Sequence, residues 1–171
     1  MNKLLDQLKG GDLRSIGKAN EIIDQVITQS DFDDLVEGLE FPDRKVVMRV
    51  VDAMEKITLD KRVDFLQKHK VKLIHLSKEA KDKELKWHLA LLLPRLKLSK
   101  REVEMMRDLL TKWAKDKTES KIVRVNSIQG LSELVKQRQN MVKDFESLLF
   151  EIEKENIASL KARIKKILKP S

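Results

Sequence analysis

The feature that most limits what this chain can become is a helical pattern that recurs. From Asp43, the stretch DRKVVMRVVDAMEKI places Val46, Val47, Val50, Val51, Ala53, Met54 and Ile57 at offsets 3, 4, 7, 8, 10, 11 and 14. That is an apolar face at a 3.6-residue period, backed by charges. The same spacing counted from Asp82 reaches Leu85, Lys86, Leu89, Ala90, Leu92, Leu93 and Leu96, six of the seven apolar. From Ser120 it reaches Val123, Arg124, Ser127, Ile128, Gly130, Leu131 and Leu134, and from Asp12 it reaches Ser15, Ile16, Ala19, Asn20, Ile22, Ile23 and Val26. The origins at 12, 43, 82 and 120 lie 31, 39 and 38 residues apart, which is room for two helices per period. One helix cannot bury so wide a face alone, so these units must stack on one another.

Other helices fill the intervals. Residues 1–9 read as a first helix ended by Gly10-Gly11, and Asp12 as the N-cap of a helix to about Thr28. Ser30-Asp31 is read as the cap of a short helix carrying Phe32, Leu35, Val36 and Leu39, stopped at Phe41-Pro42-Asp43, where the residue before proline is driven out of the α region. Between Thr58 and Lys81 the pattern fits either one helix broken near His69-Lys70 or two short ones. Then follow helices over 82–98, from Ser99 to about Lys115, from Ser120 to about Gln137, over 141–155 and over 156–169. Pro94 removes a backbone donor late in the 82–98 helix and predicts a kink in its last turn.

The repeated segment resembles the second helix of the HEAT-repeat family, an armadillo-like group, whose pattern runs Asp-x-x-Val-Arg-x-x-Ala-Ala-x-Ala-Leu-x-x-Ile. The residues that carry the resemblance are DRKVVMRVVDAMEKI at 43–57, DKELKWHLALLLPRL at 82–96 and SKIVRVNSIQGLSEL at 120–134. The family's Arg is replaced by Val47 and Lys86 and kept as Arg124, and Asn20 stands where a small apolar residue is expected. The resemblance implies an all-α fold, a right-handed α-α superhelix of stacked antiparallel helix pairs without a sheet. It implies one solenoid domain over 1–171, with units at about 1–28, 31–58, 61–98 and 99–137 and a terminal helix pair at 141–169. First helices would line the convex side and second helices an open concave side, the arrangement of a binding scaffold.

Composition narrows the function classes. The chain has 171 residues, 41% hydrophobic and 37% charged, too apolar for a disordered chain and too charged for a membrane protein. It contains no cysteine, which removes disulfides, thiolate zinc sites and cysteine nucleophiles. No apolar run approaches a signal h-region or a membrane span, so a soluble, cytoplasmic protein is expected. The net charge of +8 is uneven: residues 1–60 carry 8 Lys/Arg against 13 Asp/Glu, whereas residues 61–100 carry 12 against 4. A basic region of this kind draws acidic partners, nucleic acid among them, although lysine also serves simply as a solubilising residue.

Offsets 5, 6 and 9 of the second helices should face away from the core. They nominate Met48, Arg49 and Asp52, then Trp87, His88 and Leu91, flanked by Arg124, as a concave surface that binds a protein or peptide. Trp87 has a second reading, as inter-repeat core. Nucleic acid is the alternative partner, with phosphate contacts from Lys83, Lys86, Lys121, Lys161, Arg163, Lys165 and Lys166. The acidic first sixty residues and the absence of Tyr count against it. A glycosylase similar to the HEAT-like DNA alkylation-repair enzymes is a more distant alternative, with Asp52 its only acidic candidate. No catalytic, cofactor-binding or metal site is expected. His69, His75 and His88 form no ligand spacing, there is no phosphate-binding glycine loop, and no nucleophile is placed beside a base.

Overall fold

The computed structural model describes residues 3–9, 17–59 and 62–169, and every regular element among them is helical. In chain order these are α1 (Lys3–Leu8), α2 (Gly17–Ile23), α3 (Gln29–Val36), α4 (Arg44–Ile57), α5 (Lys70–Glu79), α6 (Lys83–Leu92), α7 (Lys100–Lys115), α8 (Lys121–Gln137), α9 (Val142–Glu153) and α10 (Ala158–Ile167). Short 3₁₀ turns at Glu37–Glu40, Val63–His69, Leu93–Arg95 and Gln139–Met141 join some of them. No described helix is long and apolar enough to cross a membrane. Two compact units emerge, residues 1–73 and 74–171, with the division falling inside α5.

Local chemistry sets the boundaries. Asp43, Ser99 and Ser120 stand at the predicted starts of their helices and cap α4, α7 and α8, and at Ser99 the cap is reciprocal, since Glu102 accepts from the Ser99 amide at 2.7 Å. At α3 the cap is Thr28 and not Ser30-Asp31. Thr28 Oγ1 accepts from the Asp31 amide, while Asp31 Oδ2 accepts from the Thr28 and Ile27 amides at 2.7 and 3.0 Å. Placing Asp31 at the third helical position lets one carboxylate satisfy two orphan amides. That start also ends α2 at Ile23, five residues before the predicted end at Thr28. The predicted N-cap Asp12 and the glycine pair at 10–11 lie outside the described residues.

Within 58–81, the 3₁₀ segment Val63–His69 changes into α5 at Lys70, where the sequence placed its break. Pro94 has a stronger effect than the predicted kink. The α-helix stops at Leu92, Leu93–Arg95 forms a 3₁₀ turn, and Leu96 is extended. The Pro94 carbonyl then accepts a hydrogen bond from Gln137 Nε2 of α8 at 2.8 Å. Asn156, between α9 and α10, has φ of 56°, a left-handed conformation that asparagine tolerates better than most residues.

Within residues 1–73, α4 packs against α1, α2 and α3, and Val46, Val50, Ala53, Met54 and Ile57 are fully buried with Leu8, Ile22, Phe32 and Leu35. On the far side of Phe32 the rings of Phe65 and His69 pack at 5.7 and 5.9 Å. Beside them Asp33 receives Lys68 Nζ at 2.5 Å, His69 Nε2 at 2.7 Å and Gln29 Nε2 at 2.8 Å. Partial burial pushes the Asp33 carboxyl up, but the hydrogen bonds from Lys68, Gln29 and His69 and the charge of Lys68 outweigh it and bring the pKa down to about 2. A carboxylate depressed on folding stabilises the native state above its unfolded pKa and loses that contribution as pH falls through the folded one. Unfolding free energy is therefore expected to drop between about pH 5 and 2, by about 1–2 kcal/mol from this group after allowance for a side chain 26% exposed. Denaturant titrations at stepped pH should show Asp33→Asn less stable than the parent at pH 7 and the gap closing toward pH 2.

Within residues 74–171, α8 is the centre. It packs against α6, α7, α9 and α10, and every residue from Val123 to Leu134 is buried except Val125, Gln129 and Glu133. The small residues Ser127, Gly130 and Ser132 let neighbouring helices approach. A Cβ built on Gly130 overlaps the Ala90 carbonyl oxygen of α6 and comes within 3.1 Å of Leu110 Cδ1 of α7. Asn126 Nδ2 donates to the Trp87 carbonyl at 3.2 Å, a further tie between α6 and α8.

Candidate functional site

The nominated surface spans both units, and each part is described on its own. In the first unit Met48 and Asp52 are half-buried and Arg49 is only 5% exposed. Arg49 Nη1 donates to the Leu8 carbonyl of α1 at 2.5 Å. Asp52 accepts from Lys56 Nζ at 2.7 Å, and the same ammonium reaches Asn20 Oδ1 of α2 at 2.9 Å. The outward face of α4 is thus partly occupied by α1 and α2.

In the second unit, Trp87 and Leu91 are half-buried, one turn apart on α6, and the Trp87 ring lies 5.5 Å from that of His88. Trp87 therefore matches neither of its two readings fully, since part of the indole is covered and part is open. His88 is 8% exposed and Arg124 2%, so neither is a surface residue. The expectation that Arg49, His88 and Arg124 face outward is corrected, and the physical reason is helix geometry. Arg49 and His88 share offset 6 with Asn126, which is 9% exposed. Offset 6 lies about 40° around the helix from the core offset 10, close enough to be covered by a neighbouring helix. Offsets 5 and 9, by contrast, are half-open in α4, α6 and α8: Met48 and Asp52, Trp87 and Leu91, Val125 and Gln129.

Arg124 sits at offset 4, inside the core face, where its guanidinium is fully engaged by protein partners. Its Nε donates to the Ala114 carbonyl at the end of α7 at 2.8 Å, and its Nη1 and Nη2 reach the two Glu155 oxygens at 2.9 and 2.8 Å. The Arg124 hydrogen bonds hold the Glu155 carboxyl below the usual range, reinforced by the charges of Arg124 and Lys117. Lys86 stands at the same offset on α6, and its ammonium pairs with Glu119, just ahead of α8. A cation on one repeated helix thus reaches an acid immediately before the next, twice in succession.

The candidate nucleic-acid contacts divide in the same way. Lys83, Lys121, Lys165 and Lys166 are exposed, and Lys161, also exposed, donates to Asn156 Oδ1 at 3.1 Å. Lys86 is 14% exposed and ion-paired, and Arg163 is half-buried, donating to Gln129 Oε1 of α8 at 2.8 Å. The second unit holds 23 Lys/Arg against 14 Asp/Glu and the first 13 against 14, so the whole positive balance belongs to residues 74–171.

One open strip is clear from burial. On α8 the partly or fully exposed residues Ile122, Val125, Gln129, Glu133 and Lys136 fall at steps of three and four, one stripe along the helix; Lys121, Val135 and Gln137 near its ends are open too, and the rest of the helix is buried. Ile122 is 44% exposed. It stands at offset 2, outside the offsets 5, 6 and 9 that the repeat pattern points away from the core. An isoleucine at offset 2, about 150° from the middle of the core face, is the signal the sequence offers. α6 packs on α8, its Trp87 carbonyl accepting from Asn126, and carries Trp87 and Leu91 half-buried at the offsets where α8 carries Val125 and Gln129. Among the described residues no group of three or more His, Asp and Glu side chains is placed to hold a metal ion. No protein-family model matches the chain, and no curated protein or solved structure matches it either.

Proposed function

We propose that this protein is a HEAT-like α-solenoid module, a right-handed superhelix of stacked helix pairs that works as a non-enzymatic scaffold binding a protein or peptide. Support for the repeat comes from the succession of α6, α8 and α10, each packed on the next, and from the recurring offset-4 cation paired with the acid before the following helix. The observation that carries the binding role is the incomplete burial of Trp87, Leu91, Ile122 and Val125, an indole and aliphatics held in place by buried neighbours but not covered. Rigid, partly exposed aromatic anchors ringed by charge are what protein interfaces use.

The test is affinity capture from a lysate of the source cell with the wild type and with Trp87→Ala combined with Leu91→Ala, compared by quantitative mass spectrometry. The double substitution is expected to cost stability only modestly, about 1–2 kcal/mol for half-buried side chains, and to remove one or a few captured proteins. An unchanged set of captured proteins in a variant with unchanged helicity would contradict the proposal.

A second role, nucleic-acid binding, is favoured by the concentration of charge in residues 74–171 and by the exposed ammonium groups of Lys83, Lys121, Lys161, Lys165 and Lys166. It requires affinity for a DNA or RNA oligonucleotide that falls steeply between 50 and 200 mM salt, by about tenfold or more for several neutralised phosphates. Absence of binding at the lower salt removes it.

A further inference from the structure

The side of the α9–α10 pair that faces away from α8 carries a groove. Its floor is Leu149, 3% exposed, and Ile164, 1% exposed, and above the floor stand Phe150, 63% exposed, and Leu168, 59% exposed. It continues along α10 beside Lys161, Lys165 and Lys169 as two adjoining shallow hollows of about 470 and 150 Å³, both open to solvent. Its orientation follows from helix geometry. Arg163 reaches across to Gln129 of α8, and Lys165, two residues on, projects about 200° away from it. The groove therefore occupies the flank of α10 opposite the one that α8 fills. On α8 the corresponding neighbours α6 and α10 are both in place.

The two rims have opposite charge. Glu146 and Glu153 stand on the α9 side, Lys161, Lys165 and Lys169 on the α10 side. The α10 rail is uncompensated along its own helix, because residues 156–171 contain no Asp or Glu. Lys154 covers one face of the Phe150 ring, its ammonium 4.1 Å from the ring centre, and leaves the rest of the ring open.

The geometry points to a docking groove for an amphipathic α-helix of a protein partner, with an apolar stripe flanked by acidic residues on one side and basic residues on the other. The apolar stripe covers Phe150 and Leu168, the acidic flank meets Lys161, Lys165 and Lys169, and the basic flank meets Glu146 and Glu153. Complementary flanks of this kind fix the direction of the helix as well as its position. An anionic membrane or a nucleic acid fits less well, since both would be repelled by the glutamates of the α9 rim. This groove is separate from Trp87 and Leu91 and does not depend on them.

The test uses the full chain and a fluorescein-labelled synthetic helix with a leucine stripe, glutamates along one flank and lysines along the other, followed by anisotropy at low salt. Saturable binding is expected, weakened at least about tenfold by Phe150→Glu with Leu168→Glu. Lys161→Glu with Lys165→Glu should weaken it similarly, and a peptide with lysines on both flanks should restore it for that variant. Circular dichroism must show unchanged helicity in each variant. Failure to saturate, or indifference to these substitutions, overturns the proposal. So does a result that gives the groove another occupant: binding to phosphatidylserine vesicles, or self-association in sedimentation, lost on Phe150→Glu with Leu168→Glu while the peptide does not bind.

Discussion

Gly130→Ala is expected to destabilise the protein by about 2–4 kcal/mol, although the same change in an exposed helix interior stabilises by roughly 1 kcal/mol. The sign turns on what the new methyl group meets. Its nearest neighbour is the Ala90 carbonyl oxygen, a backbone atom inside α6, and Leu110 Cδ1 closes the other side. A flexible side chain could swing away, but a helix backbone moves only by carrying its helix with it. Room for the methyl thus requires α6 and α8 to separate, which opens the packing around Leu89, Ile128 and Leu131. Chemical denaturation should show the loss as a lowered midpoint with an unchanged slope. Stability equal to or above wild type would show that α6 and α8 are not in such close contact.

Arg124→Met is the second large effect, at about 3–5 kcal/mol. The guanidinium is 2% exposed and satisfies three acceptor atoms, the Ala114 carbonyl and both Glu155 oxygens, so its removal leaves a mostly covered carboxylate and a helix-terminal carbonyl without their donor. The cost should be concentrated in the pair. Glu155→Gln in the Arg124→Met background is expected to recover part of the loss, and a double-mutant cycle should give a coupling of about 1.5–3 kcal/mol. Because Glu155 is held in its charged form, the wild-type advantage over Arg124→Met is full above the ordinary carboxylate range and shrinks as the pH falls below it. A coupling near zero would mean that the two side chains contribute independently and that Arg124 matters through its packing alone.

The sequence was most informative where one local rule acted alone. Asp43 and Ser99 each precede a strongly periodic segment without a rival cap nearby, and each stands at the start of the helix expected there and caps it. Thr28, Ser30 and Asp31 offer rival caps within four residues, and the winner depended on one carboxylate reaching two amides, which spacing alone does not reveal. Core positions were legible for the same reason that helices were, because Val50, Leu89 and Ile128 repeat at the 3.6-residue period. Polar residues on or beside that face were not. Arg49 donates to the Leu8 carbonyl and Arg124 to the Glu155 carboxylate, partners 41 and 31 residues away in the chain that take up charge on a buried side chain. Periodicity identifies the face but not the distant partner that makes a charge tolerable there. The α9–α10 groove escaped for the opposite reason. Phe150 and Leu168 look like ordinary members of apolar faces, and only the packing shows them left open.

The most direct measurement of the binding claim is site-specific photo-crosslinking on the open stripe of α8. A benzophenone amino acid at Ile122 replaces a side chain that is already 44% exposed, and the same group at Glu104, exposed on α7, serves as the control. After irradiation in the source cell, position 122 is expected to give one dominant crosslinked protein, absent at position 104 and lost when Trp87→Ala is added. Equal labelling at both positions, or crosslinks at 122 that go to nucleic acid instead of protein, would contradict the proposed scaffold.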